Sequence, residues 1–264
     1  MQGRVLIIAG SDPSGGAGIQ ADIKTVTALG GYAATAITAI TVQNTKGVSA
    51  VHPVAPDVIA AQIDAVMDDI GADAIKIGMI GDVETAEVIL TALYACPDIP
   101  VVLDPVLVAT SGDALAKDGV AGVIKETLTS LSAVITPNTE EAAALTGIVV
   151  TDRDTKIGAG EALVAAGAGA ALVKGGHMQG DTVEDALITP AGARIFSSPR
   201  IETTSTHGTG CTLASAIATG LAQGLALQSA VKRAISYVQT AIKTAPGYGG
   251  GCGPLNHGHT VQTD

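Results

Sequence analysis

Short aliphatic runs alternate with longer amphipathic segments along the chain. The runs lack strict apolar–polar alternation, which is typical of strands buried on both faces of a parallel sheet. Apolar positions at helical spacing mark the longer segments. The predicted strands cover residues 4–9, 33–42, 74–77, 101–103, 133–135, 171–174, 185–188 and 194–198, of which the last two form a hairpin. The predicted helices cover residues 17–29, 57–70, 83–94, 118–128, 139–145, 154–166, 209–222 and 227–244.

This order of elements predicts an α/β protein with a mostly parallel sheet between two layers of helices. No linker or composition break divides the 264 residues, so we expect one domain over residues 1–264. Hydrophobic residues make up 47% of the chain and aromatic residues only 2%. The core must therefore be built from small and aliphatic side chains, and a single-strand nucleic-acid binder that stacks bases on aromatic rings is disfavoured.

The charge balance also narrows the class of protein. Fourteen Lys and Arg stand against 25 Asp and Glu, a net charge of −11, so binding to nucleic-acid phosphates is not expected. Apolar runs fall short of the roughly 18 residues of a membrane span, and we expect no membrane partner. The three cysteines are far apart and odd in number, which favours free thiols and a cytoplasmic location.

Polar and glycine residues follow the predicted strands directly. In parallel sheets ligands bind beyond the carboxyl ends of the strands, so these residues are expected to meet at one edge. The segments in question are residues 10–12, 43–44, 78–79, 104–105, 136–138 and 175–177.

Two common nucleotide-binding motifs do not explain the chain. Residues 16–21 (GAGIQA) match the dinucleotide fingerprint, but they lie six residues beyond the first strand and no acidic residue closes the second strand. A Walker A motif is absent because the chain has no Gly-Lys dipeptide. A glycine-rich loop over a ligand is the better interpretation of residues 16–21.

The heptapeptide STHGTGC at residues 205–211 comes directly before an Ala-rich helix. Its glycines allow a nest of backbone N–H groups, and a helix N-terminus of this kind binds an anion such as a phosphate. Cys211 falls in the first helical turn, where the helix dipole favours a thiolate. A simple glycine cap with a buried cysteine explains the same residues equally well.

Three strand ends carry candidate metal and phosphate ligands. Asp104 ends one strand, Asn138 and Glu141 open a helix, and Lys174 ends a further strand. Each has an ordinary alternative as a turn residue, a helix cap or a solvated strand end. His257 and His259 have H-x-H spacing, but nothing else in the sequence marks a metal site there.

Eight segments in order resemble the hydroxymethylpyrimidine/phosphomethylpyrimidine kinases of thiamine biosynthesis. They are residues 8–22 (IAGSDPSGGAGIQAD), 41–45 (TVQNT), 76–80 (KIGMI), 103–106 (LDPV), 136–138 (TPN), 174–177 (KGGH), 207–211 (HGTGC) and 253–257 (GPLNH). The resemblance implies a ribokinase-like fold, a three-layer α/β/α sandwich. It also implies two reactions that use ATP and Mg²⁺. The first phosphorylates 4-amino-5-hydroxymethyl-2-methylpyrimidine, and the second converts the monophosphate to the diphosphate.

The resemblance also implies roles for individual residues. Pyrimidine contacts are expected at Gly10, Asp22, Gln43 and Met79. The catalytic anion hole is expected at Gly208, Thr209, Gly210 and Cys211. The expected ATP contacts are Asn138 and Lys174, and the expected Mg²⁺ ligands are Asp104 and Glu141.

Two alternatives stay open at this point. One is a pyridoxal or pyridoxine kinase of the same superfamily. The other is a regulatory module that binds a pyrimidine without catalysis, although an intact Asp104, Glu141 and HGTGC loop argues against it. The resemblance further implies a homodimer, with an aminopyrimidine and ATP as the small-molecule partners.

Overall fold

The computed structural model describes residues 2–108, 112–113, 115–176 and 178–261. Within this part of the chain nine strands form one sheet: β1 Arg4–Ser11, β2 Tyr32–Asn44, β3 Gly47–Pro53, β4 Ala74–Ile77, β5 Val101–Leu103, β6 Val134–Ile135, β7 Ala171–Val173, β8 Thr182–Thr189 and β9 Gly192–Pro199. The helices are α1 Gly18–Ala28, α2 Pro56–Asp69, α3 Val83–Ala95, α4 Val120–Glu126, α5 Thr139–Thr146, α6 Arg153–Ala165, α7 Thr209–Ala222 and α8 Leu227–Lys243.

The strand order across the sheet is β3-β2-β1-β4-β5-β6-β7-β8-β9. The six strands from β2 to β7 in this order pair in parallel, and β3, β8 and β9 pair antiparallel at the two edges. Parallel neighbours place their carboxyl ends at one edge of the sheet. That edge is therefore where the side chains after β1, β4, β5, β6 and β7 come together.

Strand β1 shows why the sheet is covered on both faces. Val5, Ile7 and Ala9 pack with α1, α7 and α8, whereas Leu6 and Ile8 pack with α2 and α3 on the other face. Successive side chains of a strand point to opposite faces, so a strand with a helix layer on each side needs a continuous apolar run. The three-layer α/β/α arrangement expected from the sequence is confirmed.

Small residues let α7 pack closely against its neighbours. Ala214, Ala216 and Ala218 are fully buried. A Cβ atom on Gly220 would lie 2.7 Å from the Cβ atom of Ala230 on α8, so only glycine allows this approach of the two helices. A core of small side chains with few aromatic rings thus lets the helix backbones approach one another closely.

Three predictions about local structure need correction. Strand β3 was not predicted, because its residues are largely exposed at the sheet edge and lack a buried apolar run. The helix predicted over residues 118–128 is divided into α4 and a short 3₁₀ helix, Leu128–Leu131. Gln43, predicted to follow the second strand, lies within β2 at an irregularity between Val42 and Gln43. Among the described residues no helix is long and apolar enough to cross a membrane.

Candidate active site

A cavity of about 700 Å³ lies at the carboxyl edge of the parallel strands. The start of α7 closes one side of it. Its wall includes every site residue predicted from the sequence except Asp22, namely Gly10, Gln43, Met79, Asp104, Asn138, Glu141, Lys174, Gly208, Thr209, Gly210 and Cys211. His177, the last residue of the KGGH segment, lies outside the described residues.

Two carboxylates and one ammonium group form a buried cluster beside β5, β6 and β7. Asp104 directly follows β5 and is 1% exposed. The Lys174 Nζ atom lies 2.9 Å from Oδ1 of Asp104 and 3.8 Å from Oε2 of Glu141. The Thr136 hydroxyl donates a 3.1 Å hydrogen bond to the same Oδ1 atom. The predicted phosphate and metal residues therefore meet at one point.

Burial and charge act against each other in this cluster. Burial raises the pKa of Glu141 to about 7, and the nearby Lys174 ammonium offsets only part of that effect. Burial alone would lower the pKa of Lys174, but Asp104 and Glu141 outweigh it and raise that pKa to about 12. The lysine therefore stays charged. An additional cation close to Glu141 would favour the ionised form of its carboxyl group.

Helix α5 holds Glu141 in place through a capping box. The Asn138 side-chain oxygen accepts hydrogen bonds from the backbone N–H groups of Glu140 and Glu141. In return, the Asn138 backbone N–H donates a 2.7 Å hydrogen bond to Oε2 of Glu141. Asn138 is thus a helix cap that also lines the cavity. The capping alternative is thus confirmed for Asn138, and the expected ATP contact stays a prediction.

The start of α7 faces this cluster. Gly208 has a φ of 80°, a left-handed conformation that favours glycine. A Cβ atom there would lie 1.8 Å from the Gly16 carbonyl oxygen, and one on Gly210 would lie 3.2 Å from the Lys174 Nζ atom. The first N–H groups of a helix have no partner within it, and no side chain caps α7. Free N–H groups at the start of a helix attract anions, and here they lie beside the Lys174 ammonium.

The two glycine-rich loops are joined by an Asp–His pair that sequence reasoning missed. The His207 Nε2 atom lies 2.8 Å from Oδ2 of Asp12, and both residues are buried. Asp12 also accepts hydrogen bonds from the N–H groups of Ser14 and Ala17. Burial would raise the pKa of Asp12, but the hydrogen bonds from His207 and Ser14 outweigh it and lower that pKa to about 2. The signal was the position of each residue beside its glycine-rich motif.

A second part of the cavity wall includes three uncharged residues, Gly10, Gln43 and Met79. A Cβ atom on Gly10 would lie 2.9 Å from the Met79 Sδ atom, so glycine is needed for this contact. The Thr41 hydroxyl donates a 3.1 Å hydrogen bond to Oε1 of Gln43. The Gln43 Nε2 atom lies 3.5 Å from Nε2 of His207. This part of the wall offers the Met79 side chain and an amide oriented by the Thr41 hydroxyl.

Asp22 lies behind the cavity wall and does not line it. Its side chain is fully buried, with Oδ2 2.8 Å from the Lys76 Nζ atom and Oδ1 2.7 Å from the Ser215 hydroxyl. Both carboxylate oxygens are thus engaged inside the protein. The expectation of a direct pyrimidine contact does not match this placement, and the sequence alone could not distinguish a wall residue from one beneath it.

The ionisation state predicted for Cys211 needs correction. Burial raises the pKa of the Cys211 thiol to about 11, and the nearby Lys76 ammonium offsets only part of this rise. The helix dipole was expected to favour a thiolate. Because desolvation of the sulfur outweighs it, Cys211 is mostly a thiol near neutral pH.

The last quarter of the chain has an unusual charge distribution. Between Glu202 and Asp264 there is no Asp or Glu, although the whole chain carries 25.

His257 lies in this segment with its Nε2 atom 2.9 Å from the Thr212 hydroxyl of α7, and the His259 ring packs against Tyr237 at 4.6 Å. The two histidines thus each contact a helix, His257 at α7 and His259 at α8.

The Asp104 and Glu141 carboxylates fit a magnesium ion bound together with phosphates. Across the described residues, no cluster of three or more His, Cys, Asp or Glu could enclose a metal. Mg²⁺ is usually held by one or two carboxylates, waters and substrate phosphates, so two carboxylates beside an anion-binding helix end suffice. The raised pKa of Glu141 supports this fit, because a cation would favour its ionised form.

The fold and the site together define a small-molecule kinase of the ribokinase-like class. The pyridoxal kinase of Bacillus subtilis, solved with ADP, matches the structure with a TM-score of 0.91, 34% identity and coverage of 98% of both chains. The phosphomethylpyrimidine kinase family model matches residues 12–256. The chain therefore belongs to the phosphomethylpyrimidine kinase family, and the resemblance seen in the sequence is confirmed.

Two relatives illustrate the extent of this similarity. The hydroxymethylpyrimidine/phosphomethylpyrimidine kinase of Rhizobium meliloti is 47% identical over 263 residues, which cover 98% of each protein. The thiamine biosynthesis bifunctional protein ThiED of Geobacter sulfurreducens is 48% identical over 257 residues, which cover 97% of this chain. The aligned region is 52% of that protein, so the chain spans about half of its length.

Proposed function

We propose that this enzyme transfers the γ-phosphoryl group of ATP to the hydroxymethyl group of 4-amino-5-hydroxymethyl-2-methylpyrimidine, and then a second one to the resulting monophosphate. The observation that carries the proposal is the cluster of Asp104, Lys174 and Glu141 facing the start of α7. Phosphoryl transfer depends mainly on positioning and on neutralising phosphate charge. A fixed ammonium and free helix N–H groups supply both.

The acceptor binds at the uncharged part of the cavity wall. Met79 lies against the face of the pyrimidine ring, next to Gly10. The Gln43 amide pairs with the exocyclic amino group and the adjacent ring nitrogen, the pattern that an amide also uses on adenine. Thr41 and His207 hold the orientation of that amide. Asp22 supports this wall from behind through Lys76.

In the reaction, the acceptor hydroxyl oxygen attacks the γ-phosphorus and the bond from that phosphorus to the bridging oxygen of ADP breaks. The hydroxyl proton moves to the thiolate form of Cys211. The N–H groups of Gly210 and Cys211 stabilise the transferring phosphoryl oxygens, and the Lys174 ammonium neutralises charge on the nucleotide phosphates. Because Cys211 is mostly a thiol near neutral pH, its contribution as a base is modest.

Asp104 and Glu141 are the residues that would hold Mg²⁺. When bound, that ion neutralises charge on the β- and γ-phosphates. The role of Asp104 on its own is to fix the Lys174 ammonium 2.9 Å from its carboxylate. The role of Asn138 is to hold the Glu141 carboxylate in its capping box.

A substrate comparison tests the proposal directly. ADP release is measured with the aminopyrimidine alcohol, its monophosphate, pyridoxine and pyridoxal as acceptors, each at several concentrations. We expect the highest kcat/KM for the aminopyrimidine alcohol, with turnover of the monophosphate. Absence of ADP release with every acceptor would favour the non-catalytic alternative.

Pyridoxal kinase activity is the second candidate function. It is favoured by the TM-score of 0.91 to the Bacillus subtilis pyridoxal kinase. Both acceptors are planar six-membered heterocycles with a hydroxymethyl group, and the neutral wall of Gly10 and Met79 accepts either ring. A higher kcat/KM for pyridoxal or pyridoxine in the same assay would establish this alternative.

We also infer a homodimer in the cytoplasm. Ile40 and Val42, on the edge hairpin of β2 and β3, are 54% and 49% exposed, and burying such side chains against a second copy is favourable. The three cysteines are unpaired, which suits a reducing compartment. Light scattering at micromolar concentration should give twice the chain mass of 26.0 kDa. A 26.0 kDa species would contradict the dimer.

A further inference from the structure

A lysine lies fully buried in the central strand β4. Its neighbours Ile75 and Ile77 pack with the layer of α2 and α3, so alternation turns the Lys76 side chain toward α1 and α7. Lys76 is 0% exposed. A buried ammonium costs several kcal/mol unless it is paired, so its presence in this strand needs a specific reason.

A carboxylate on α1 holds this ammonium group, and a hydroxyl on α7 holds the carboxylate. The Nζ atom lies 2.8 Å from Oδ2 of Asp22 on α1, and Ser215 on α7 donates a 2.7 Å hydrogen bond to Oδ1 of the same carboxylate. Burial would lower the pKa of Lys76, but Asp22 and the nearby Cys211 and Asp104 outweigh it and raise that pKa. The Lys76 ammonium is therefore charged.

The ion pair is connected to α7, the helix that carries Cys211. Cys211 and Ser215 are four residues apart on α7 and thus share one face of the helix. A Cβ atom on Gly78 would lie 2.8 Å from the Lys76 Nζ atom, so glycine leaves room for the ammonium next to Met79. Lys76 also contributes to the cavity wall.

We propose that Lys76 is a positioning residue whose buried positive charge, fixed by Asp22, makes the Cys211 thiol easier to ionise. This inference rests on the proposed base role of Cys211. It gives the charged pair a function that a hydrophobic pair of the same size would not have, because only a charge acts on the sulfur at a distance.

Four charged groups act on the Cys211 sulfur from the surrounding elements. Lys76 on β4 favours the thiolate, whereas Asp22 on α1 and Asp104 after β5 disfavour it. Lys174 after β7 also interacts with Cys211. Burial raises the pKa of Cys211, and Lys76 is the largest opposing influence. Removal of the Lys76 charge should therefore lower the thiolate fraction further.

The chain offers two matched controls. Lys156 is also buried, at 1% exposure, but its Nζ atom donates to the Glu184 backbone carbonyl on the far side of the sheet from α7. Ser215→Ala removes a hydrogen bond to Asp22 without removing a charge. If Lys76 acted only by holding α1 and α7 in place through Asp22, loss of the Ser215 link would have a similar effect on Cys211.

The test measures the rate of Cys211 modification by iodoacetamide in the free protein, resolved by peptide mass spectrometry, between pH 7 and 9.5. Cys96 in the same sample is the internal reference, because it lies at the end of α3. Each unit of pKa rise lowers the thiolate fraction tenfold, and the greater nucleophilicity of the more basic thiolate returns part of this. We expect Lys76→Met to slow Cys211 modification at least about threefold relative to wild type. Lys156→Met and Ser215→Ala should leave it unchanged.

An unchanged or faster rate at Cys211 in Lys76→Met would overturn the proposal, as would an equal slowing in Ser215→Ala. If Lys76→Met does not fold, Lys76→Met/Asp22→Asn removes both charges, and a smaller slowing is expected from it because Asp22 acts in the opposite direction. The rate of Cys211 modification can be measured without any kinase turnover. Full kinase activity of Cys211→Ala would show that Cys211 is not the base of the proposed function. The effect of Lys76 on the thiol would still be decided by the rate of Cys211 modification.

Discussion

The nucleotide side and the acceptor side of the cavity are built in different ways. The nucleotide side places the charges of Asp104, Glu141 and Lys174 within a few ångströms of one another. The acceptor side is formed by the uncharged residues Gly10, Gln43 and Met79, and the charged groups that line the cavity near it, Asp12 and Lys76, are each paired inside the protein. Both lie at the carboxyl edge of the same sheet, so the fold supplies two unlike surfaces from one architecture.

This difference separates two tasks. Stabilising a transferring phosphoryl group needs fixed charges and N–H dipoles that do not have to reorganise during the reaction. Selecting a neutral heterocycle needs shape and a few oriented hydrogen bonds. Changes on the nucleotide side should therefore reduce kcat for every acceptor, whereas changes on the acceptor side should alter kcat/KM for particular acceptors.

The largest effect is expected from Asp104→Asn. The variant keeps the size of the side chain but removes the charge that holds Lys174, so kcat should fall roughly 10³-fold with either acceptor. Calorimetry should show nearly unchanged binding of the aminopyrimidine. Glu84→Gln is a suitable control, because it makes the same change from a carboxylate to an amide at an exposed residue of α3. Wild-type turnover in Asp104→Asn would contradict the division between the two sides.

Cys211→Ala should have the next largest effect. General-base catalysis typically contributes 10²–10⁴-fold, and the raised pKa of this thiol places the expected loss of kcat at about 10²-fold. Circular dichroism should show the folding of the variant to be intact. Full activity would assign the whole effect of this loop to its backbone N–H groups.

Gln43→Glu tests the acceptor side. The substitution keeps an acceptor oxygen, removes the donor to the ring nitrogen and adds a charge. Loss of such a pairing costs about 1–3 kcal/mol, so kcat/KM for the aminopyrimidine should fall about ten- to a hundredfold. The KM for ATP should stay constant, in contrast to the nucleotide-side variants. Equal kcat/KM for wild type and variant would show that Gln43 does not select the substrate.

The smallest effect concerns His257, which supports the first turn of α7 through Thr212. Burial lowers the pKa of His257 to about 4, so the unfolded chain binds a proton below its ordinary pKa of 6.5 before the folded protein does. This contribution to stability is complete above pH 6.5 and is lost as the pH falls toward 4. Between pH 7.5 and 5.5 it should amount to about 1 kcal/mol.

Urea unfolding of wild type and His257→Gln at both pH values measures this contribution. Glu141 acts in the opposite direction, because its raised pKa favours the folded state as the pH falls. The difference between the two proteins is therefore the relevant quantity. The same pH dependence in both would show that His257 does not titrate in the folded state as described.

The sequence predicted the buried elements better than the exposed ones. Strands β4 and β5 and helix α7 have the predicted bounds, because a continuous apolar run or a helical repeat reflects burial on defined faces. Strand β3 escaped because an exposed edge strand needs no such run. The edge hairpin of β8 and β9 was found from its turn residues, although both strands are longer than predicted.

At the site, sequence could place residues near the correct edge but could not tell how deeply each lies. Asp104 and Lys174 meet as expected. Asp22 lies beneath the wall, and Cys211 is desolvated enough to reverse the expected thiolate. The pairing of Asp12 with His207 joins positions 195 residues apart, and no local pattern reports a contact at that separation.

The absence of acidic residues between Glu202 and Asp264 has a consequence for how ATP reaches the enzyme. A polyanion should be repelled by a protein of net charge −11, and this repulsion weakens when salt shortens the Debye length to about 8 Å. Of the two helices in this segment, α7 carries no charged side chain and α8 carries only Lys232, Arg233 and Lys243. The segment therefore adds no negative charge beside the start of α7, and the repulsion that remains comes from the rest of the chain, so association with ATP should become faster as ionic strength rises.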